Sequence, residues 1–487
     1  MLLCVAEFML TVDLSIVNVA LPAIDADLGF SASSLQWVVN GYAVTFAGFL
    51  LLGGRAADLF GGRRVFLAAL ALFTTASLAC GLSVSAGALV AARVVQGLAA
   101  GVLAPATLSI LTTTYQETEQ RNRALSVWTG VAIGGGAVGG LLGGILTETL
   151  SWRAIFFVNV PAGLALLVAA TGVLPRGRAD KHHARIDLAG ALTVTGGLSA
   201  LVWALVRSEE AGWTSAEVWV GLVVAVVLLS TFIVIETRAA KAPLVPFSVF
   251  RNGSLSAGNL LSFLSFVPTM ATWFFLSLYL QGLRGYTPIQ AGLVFLPVSL
   301  AVIAGSQVSF RAISRVDARL LFFIGGLVAC IGLGGLALLS PDTSLTWVVV
   351  SASIAMTGGG LMFAPITVAA TVDLGAESGG LASGLLNTSR QIGGALGLAL
   401  LGTIAGHSAS RAASGGADRA EALSTGYATA FTLGAFVFAL TALIGAIALP
   451  ARLDGDGGRA ANTARPTSSG GGNIKGPEGA RRSSGTT

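Results

Sequence analysis

Charge is what this sequence has least of. Its Lys and Arg number 28 and its Asp and Glu 23, together 10% of 487 residues, against roughly 25% in an ordinary soluble domain. A chain this long would normally form about three soluble domains, and too few charges are present to coat them, so a soluble fold is excluded. Cysteine is also scarce: Cys4, Cys80 and Cys330 all fall inside apolar stretches, which excludes a disulfide framework. The three histidines, His182, His183 and His407, lack metal-ligand spacing. No GxxxxGK[ST] loop and no nucleophile–base constellation occurs, so no metal, no cofactor and no enzymatic activity is expected, and ATP hydrolysis by this chain is not the energy source. The formal net charge is +5, but the basic residues are scattered rather than gathered on one face, which argues against nucleic acid as a partner.

What is abundant is uninterrupted hydrophobicity, 54% of the chain. Thirteen charge-free runs of at least eighteen residues extend from 28–54 to 422–451, and one more apolar stretch opens the chain at 2–24, broken by Glu7 and Asp13. A bilayer-spanning helix needs roughly 20 apolar residues, and backbone groups in lipid must be satisfied internally. The fold class expected is therefore an all-α polytopic membrane protein with 14 transmembrane helices. Twenty-one of the 28 basic residues fall in the tail and in loops after even-numbered helices, five in loops after odd-numbered ones, and Arg93 and Arg390 lie within spans. Because cytoplasmic loops carry the excess of Lys and Arg, both termini are expected in the cytoplasm. The first span has no separate charged leader and no cleavage site, so a signal peptide is not expected; a start upstream of Met1 is. Residues 451–487, rich in Gly, Ser, Thr and Arg, are expected to be disordered. The connection 405–424 is expected to be the longest external loop.

Several segments combine polar residues with apolar surroundings. Between spans 2 and 3 lies Gly54-Arg-Ala-Ala-Asp58-Leu-Phe-Gly61-Gly-Arg63-Arg64. Gly54 and Gly61 permit close backbone approach and a tight turn, Asp58 can accept from a helix N-terminus or an Arg, and Arg63 and Arg64 sit at headgroup level. Span 4 holds Arg93-Val-Val-Gln96-Gly97-Leu-Ala-Ala-Gly101. Arg93 lies roughly 10 Å deep at 1.5 Å per residue, where a cation either faces a polar cavity with a partner or snorkels outward. Span 1 carries Asp13 near mid-membrane within Leu10-Thr-Val-Asp13-Leu-Ser-Ile-Val-Asn18-Val-Ala-Leu-Pro22. Desolvation raises such a carboxylate's proton affinity, so Asp13 is either a proton carrier or a lock on its nearest partner in depth, Arg93. Glu7 is a second, lesser carrier candidate. Span 5 presents two glycine ridges, Gly135, Gly139, Gly143 and Gly136, Gly140, Gly144, of the kind that lets helices pack at backbone contact.

These motifs, in this order, resemble the major facilitator superfamily, and within it the fourteen-helix drug/proton antiporters. The loop at 54–64 resembles the superfamily's GxxxDxxGxR[KR] signature, which gates the cytoplasmic side; Arg93, Gln96 and Gly97 resemble its RxxQG motif, associated with proton coupling; the run at 10–22 resembles the LDxTIVNVALP segment, with Ser15 in place of Thr. The span 5 ridges resemble the antiporter glycine–proline motif, although Gly140 stands where proline is usual. Trp152-Arg-Ala-Ile-Phe-Phe-Val-Asn159-Val-Pro161 and the run from Asn387 through Arg390 to Gly397 resemble further subfamily segments.

The resemblance covers 1–450. It implies a six-helix bundle at 1–174, linkers and an inserted helix pair (188–236) within 175–253, a second six-helix bundle at 254–450, and the tail. The inserted pair, read as carrying no buried charge, is assigned to packing or lipid contact. The function implied is proton-coupled antiport: export of a lipophilic, drug-like or antibiotic-like small molecule across the cell membrane by alternating access, by a monomer. Asp13 and Arg93 would couple the proton, and Asn18, Asn40, Gln96, Trp128, Asn259, Trp273, Tyr279, Asn387 and Arg390 are candidate substrate-lining residues. Each is also readable as an interhelical hydrogen bond or a belt residue. Arg390 either lines the cytoplasmic path or pairs with Asp373 or Glu377. A narrow metabolite transporter on the same fold is the alternative, and a membrane enzyme or channel is the reading from another class.

Overall fold

The computed structural model describes residues 1–115, 117–174, 187–239, 243–245, 247–371 and 379–449. Among them the regular structure is helical throughout. The first group of helices is α1 (Leu2–Leu28), α2 (Trp37–Phe60), α3 (Gly62–Gly81), α4 (Ala86–Thr114), α5 (Thr118–Thr149) and α6 (Asn159–Val173). An antiparallel pair follows, α7 (Leu188–Ala211) and α8 (Ala216–Val234). The last group is α9 (Gly253–Ser277), α10 (Pro288–Ala312), α11 (Ala318–Leu336), α12 (Leu345–Leu361), α13 (Gly379–Ser414) and α14 (Arg419–Ala448). Among the described residues, thirteen helices are long and apolar enough to cross a membrane by length and composition. The glycine-dense α5 is the remaining long helix.

Local sequence explains where these helices begin. Ser85, Ser344 and Asp418 accept from backbone amides three residues on, satisfying donors that a helix start leaves orphaned. Thr287 and Gln290 form a reciprocal capping box with Pro288 in the first turn. Asp418 corrects one expectation. The connection 405–424 is not a long loop, because α13 runs to Ser414, Gly416 turns the chain at φ 95°, and α14 starts at Arg419. The alanine-rich sequence favours helix on both sides.

We call the end of the molecule that carries the α2–α3 turn the basic end, and the opposite one the far end. The first and last groups meet along two seams, α5 against α10 and α2 against α13. On the first seam, a Cβ added at Gly144 would strike the Pro288 carbonyl, and one at Gly292 would lie 2.9 Å from the Gly140 carbonyl oxygen. The described hydrogen bonds between the two groups all lie toward the far end. Ser277 Oγ donates to the Asn18 carbonyl, Gln281 Nε2 to the Val19 carbonyl at 2.8 Å, and the Ile289 amide to Glu148 Oε2 at 2.9 Å. The first of these has a sequence cause. Pro22 has no N–H, so the Asn18 carbonyl lacks its usual donor four residues on, and Ser277 of the other group supplies one.

The helix pair α7–α8 divides its work. α8 turns Trp219, Val220, Val223 and Val226 outward, as a lipid-facing helix does. α7 instead lies across the α2–α13 seam: Leu198, Val202 and Val206 pack with Ala43 and Val44 of α2 and Ala395 and Ala399 of α13. Thr403 Oγ1 of α13 donates to the Leu205 carbonyl at 2.7 Å. The expectation that this pair carries no buried charge is also corrected. Glu236, just past α8, is 6% exposed and accepts from the Leu244 and Val245 amides at 3.1 and 3.2 Å. A linker folded back under the helix end needs acceptors for those amides, and a carboxylate supplies two.

Candidate functional site

The polar centre of the first helix group is built around Asp13. Its Oδ2 accepts from Arg93 Nη1 at 2.8 Å, with both side chains sealed at 0% and 1% exposure. Its Oδ1 accepts from Gln96 Nε2 and from Asn159 Nδ2, both at 2.8 Å. Arg93 is satisfied in turn: Nε donates to the Val38 carbonyl at 3.0 Å and Nη1 also to Gln96 Oε1 at 2.8 Å. Its guanidinium lies over the Tyr42 ring, 4.3 Å from the centroid, and this face-on placement adds a cation–π attraction. Ser77 Oγ accepts from Gln96 and Asn159 at 3.1 Å each and donates to the Phe156 carbonyl. Asp13 of α1 is therefore tied directly to α4 and α6, and α2 and α3 join the cluster through Arg93 and through Ser77. The spacing Arg93–Gln96 works because residues three apart share a helix face, so one turn of α4 presents both donors.

This arrangement can hold a negative charge in an apolar setting and lose it to a proton. Two of its three donors, Gln96 and Asn159, are neutral, and Arg93 has the Val38 carbonyl and Gln96 Oε1 as acceptors besides Asp13. Asn159, Ser77 and Tyr42 were not among the sequence-derived site residues. Asn159 carried a signal, as the one polar residue within the apolar run 154–162; Ser77 and Tyr42 carried none, since single hydroxyls in membrane helices usually bond to their own backbone.

The glycine ridges of α5 face two different neighbours. Gly135, Gly139 and Gly143 abut α1, where a Cβ at Gly143 would lie 2.7 Å from the Ile16 carbonyl oxygen. Gly140 and Gly144 abut Phe295 and Pro288 of α10, and Gly136 has nothing within 4 Å. At the α2–α3 turn, Gly61 takes φ 87°, a conformation that L side chains avoid. Arg63 Nη2 donates to the Thr171 carbonyl at 2.6 Å, binding a cation to the C-terminal end of α6 where the helix dipole favours one. Gly54 lies 3.8 Å from Pro105 by the same Cβ measure, and Arg64 is exposed. The Asp58 side chain lies outside the described residues, as do Asp373, Glu377 and the tail 451–487.

The candidate lining residues differ in their surroundings. Gln96 belongs to the Asp13 cluster, and Tyr279 is turned to the far end, where its hydroxyl donates to the Ser340 carbonyl at 2.9 Å; neither is free for a ligand. Asn259 holds Ser389 across the α9–α13 contact at 2.9 Å, and Trp273 packs edge-on against Phe295. Asn18 Oδ1, both amide atoms of Asn40 and Trp128 Nε1 are enclosed without a hydrogen-bond partner, which is how polar groups that meet a ligand present themselves. Asn387 is half-buried. Arg390 lies against the adjoining Phe363 and Phe266 rings, 4.4 and 5.6 Å from their centroids, with Nε donating to Ser262 Oγ at 3.3 Å. A cavity of about 660 Å³ at the far end, walled by Phe30, Trp37, Trp203 and Val206, is separate from these residues. Among the described residues no group of three or more His, Cys, Asp or Glu side chains is placed to hold a metal ion.

Comparison with known proteins agrees with this geometry. The family model described as Major Facilitator Superfamily matches residues 3–398. The chain is 42% identical over 454 residues to the cephamycin export protein of Amycolatopsis lactamdurans, covering 92% of each chain. It is 36% identical over 472 residues to a puromycin resistance protein of Streptomyces alboniger, covering 95% of this chain and 93% of that protein. Among solved structures, a D-xylose–proton symporter superposes with a TM-score of 0.65 at 12% identity, covering 93% of this chain and 98% of the other. A peptide transporter in complex with sulfate gives 0.66 at 16%, covering 91% and 92%.

Proposed function

The chain belongs to the major facilitator superfamily and is a multi-pass membrane transporter, and from that premise we propose that it exports a lipophilic, antibiotic-like molecule from the cytoplasm in exchange for protons. The observation that carries the proposal is the sealed Asp13–Arg93 pair with its Gln96 and Asn159 donors. A transporter that needed Asp13 only as a structural lock would be served as well by a neutral contact, because a buried ion pair is weak evidence for stability. The full-length similarity to antibiotic export and resistance proteins supports the direction of transport.

Helix α1 is the coupling element. It carries Asp13 on one face, while the Asn18 and Val19 carbonyls, five and six residues on, hold the last helix group at the far end. With both termini on the cytoplasmic side and fourteen crossings, the far end is the outer one, so the ion-paired arrangement accompanies an outwardly sealed molecule. In this state the drug enters from the cytoplasm and meets Asn18, Asn40 and Trp128. Drug binding opens the outer side, and protonation of Asp13 from there removes the charge that Arg93, Gln96 and Asn159 hold, loosens α1 from α4, and accompanies release. Loss of that proton to the cytoplasm restores the pair. Gly61, Arg63 and Arg64, with Asp58, form the cytoplasmic gate, and a monomer suffices because every participating group is on one chain.

The proposal is tested by drug export from energised cells lacking their own efflux pumps. Export that stops on addition of a protonophore supports it. Export that continues unchanged with the proton gradient collapsed refutes the coupling, and failure to export any of a panel of lipophilic antibiotics refutes the efflux reading.

A further inference from the structure

Two arginines lie inside the helix bundle, and they are provided for in opposite ways. Arg93 has a carboxylate, an amide and a carbonyl within hydrogen-bond distance and is 1% exposed. Among the described residues Arg390 has none of these. Its one hydrogen bond is from Nε to Ser262 Oγ, and its remaining contacts are the faces of Phe266 and Phe363. Nη1 and Nη2 donate to no described residue, and neither is among the enclosed unpartnered atoms. Arg390 therefore presents the open fork of its guanidinium to free space.

Its depth makes this costly. Ser262 and Phe266 lie nine and thirteen residues into α9 from Gly253, roughly 14 to 20 Å along the helix at 1.5 Å per residue. A cation at such depth normally has a partner. The adjoining Phe266 and Phe363 rings, themselves packed edge-on at 6.4 Å, attract the guanidinium, but they do not neutralise it. Ser262 takes the Nε edge and leaves the two Nη groups parallel and open, the geometry that receives a carboxylate bidentately. The neighbourhood is otherwise polar, with Asn387 and the Ser389–Asn259 hydrogen bond on the same stretch of α13.

We propose that Arg390, set against the adjoining Phe266 and Phe363 rings and paired with no carboxylate among the described residues, receives the carboxylate of an amphiphilic anionic substrate. This rests on the exporter reading and narrows its substrate class: an apolar body against the two phenylalanines and a single acidic group on the guanidinium. The substrate then supplies the counter-charge that Asp13 supplies to Arg93. An anionic lipid headgroup has the same chemistry, and the experiment separates the two sources.

The test uses the full chain in nanodiscs of phosphatidylcholine, with 2-naphthylacetic acid and its methyl ester as matched probes and binding read by equilibrium dialysis at neutral pH. The acid should bind about tenfold or more tightly than the ester, as expected for a charge-assisted hydrogen-bonded pair. Arg390→Gln should bring the acid down to the ester's affinity and leave the ester unchanged, and Arg390→Lys should keep part of the preference. Equal binding of acid and ester by the wild type, or a preference that survives Arg390→Gln, overturns the proposal. So does a preference that appears only after Asp373→Asn and Glu377→Gln, because those acids are then the partners. Loss of the preference when phosphatidylglycerol is added assigns the site to lipid and overturns the substrate assignment. Uncoupler-sensitive export of the neutral ester by Arg390→Gln scores the exporter reading separately: it persists if only the substrate class is wrong.

Discussion

The seal at the far end depends on a carbonyl that the sequence has deliberately left unpaired, and removing its partner should open the molecule. In Ser277→Ala the Asn18 carbonyl, deprived of an internal donor by Pro22, loses the hydroxyl that satisfies it. A buried orphaned acceptor costs about 1–3 kcal/mol. Gln281→Leu removes the bond to the Val19 carbonyl, which keeps its donor within the helix, so only the net worth of one hydrogen bond is lost, about 0.5–1.5 kcal/mol. Because Gln281 also donates to Ser277 Oγ at 3.0 Å, the two losses overlap and the double variant falls at about 2–3 kcal/mol. At 1.4 kcal/mol per factor of ten, the ratio of molecules closed at the far end to open ones drops roughly 30- to 150-fold. Spin labels at Leu150 and Leu338, both exposed at the far end, report it by pulsed dipolar spectroscopy after the three native cysteines are replaced. The distance distribution should move to longer values in the double variant without ligand. A distribution identical to that of the parent refutes the reasoning, since these contacts would then contribute nothing to the seal.

Three further outcomes follow from individual contacts. The hydrogen bonds from the Thr287 side chain and the Ile289 amide hold the Glu148 carboxyl, beyond the apolar run of α5, below its usual range. A group lowered in the closed state favours that state above its ordinary value near 4.5 and loses the contribution as pH falls through the depressed one. Acidification below 4.5 should therefore lengthen the same label distance, and Glu148→Gln should remove that pH dependence. Gly143→Leu forces a side chain into the Ile16 backbone and should lower thermal stability in detergent by about 1–3 kcal/mol, whereas Gly136→Ala, with open space around it, should leave the melting temperature unchanged. Asn159→Leu removes a hydrogen bond to a charged group worth about 1.5–3 kcal/mol; proton-coupled export should fall about tenfold or more, measured per molecule at the cell surface.

Much of this architecture was legible in the sequence because lipid imposes a simple rule: a run of twenty residues without charge has few ways to exist. The same rule makes the exceptions stand out, and Asp13 and Arg93 could be matched by depth alone. What the sequence concealed is lateral position. Asn159, Ser77 and Tyr42 join the Asp13 cluster through rotation about helix axes, and no periodicity distinguishes them from residues that bond to their own helix. Tyr279 looked like a lining aromatic and proved to be a far-end strut, since its hydroxyl reaches a loop carbonyl 61 residues away. The helix pair α7–α8 read as inert because its spans are apolar. Its contribution is instead positional, with α7 seated across the seam of the two groups and Glu236 gathering the linker beneath α8.

We propose Asp13 as the proton carrier. Its most direct test is drug-driven proton release by the purified protein in sealed proteoliposomes loaded with a pH indicator, compared between the wild type and Asp13→Asn at equal drug binding. Asp13→Asn should bind drug, retain its fold, and move no protons in exchange for it. Full drug-coupled proton movement by Asp13→Asn would contradict the account and leave the pair with Arg93 as a structural contact.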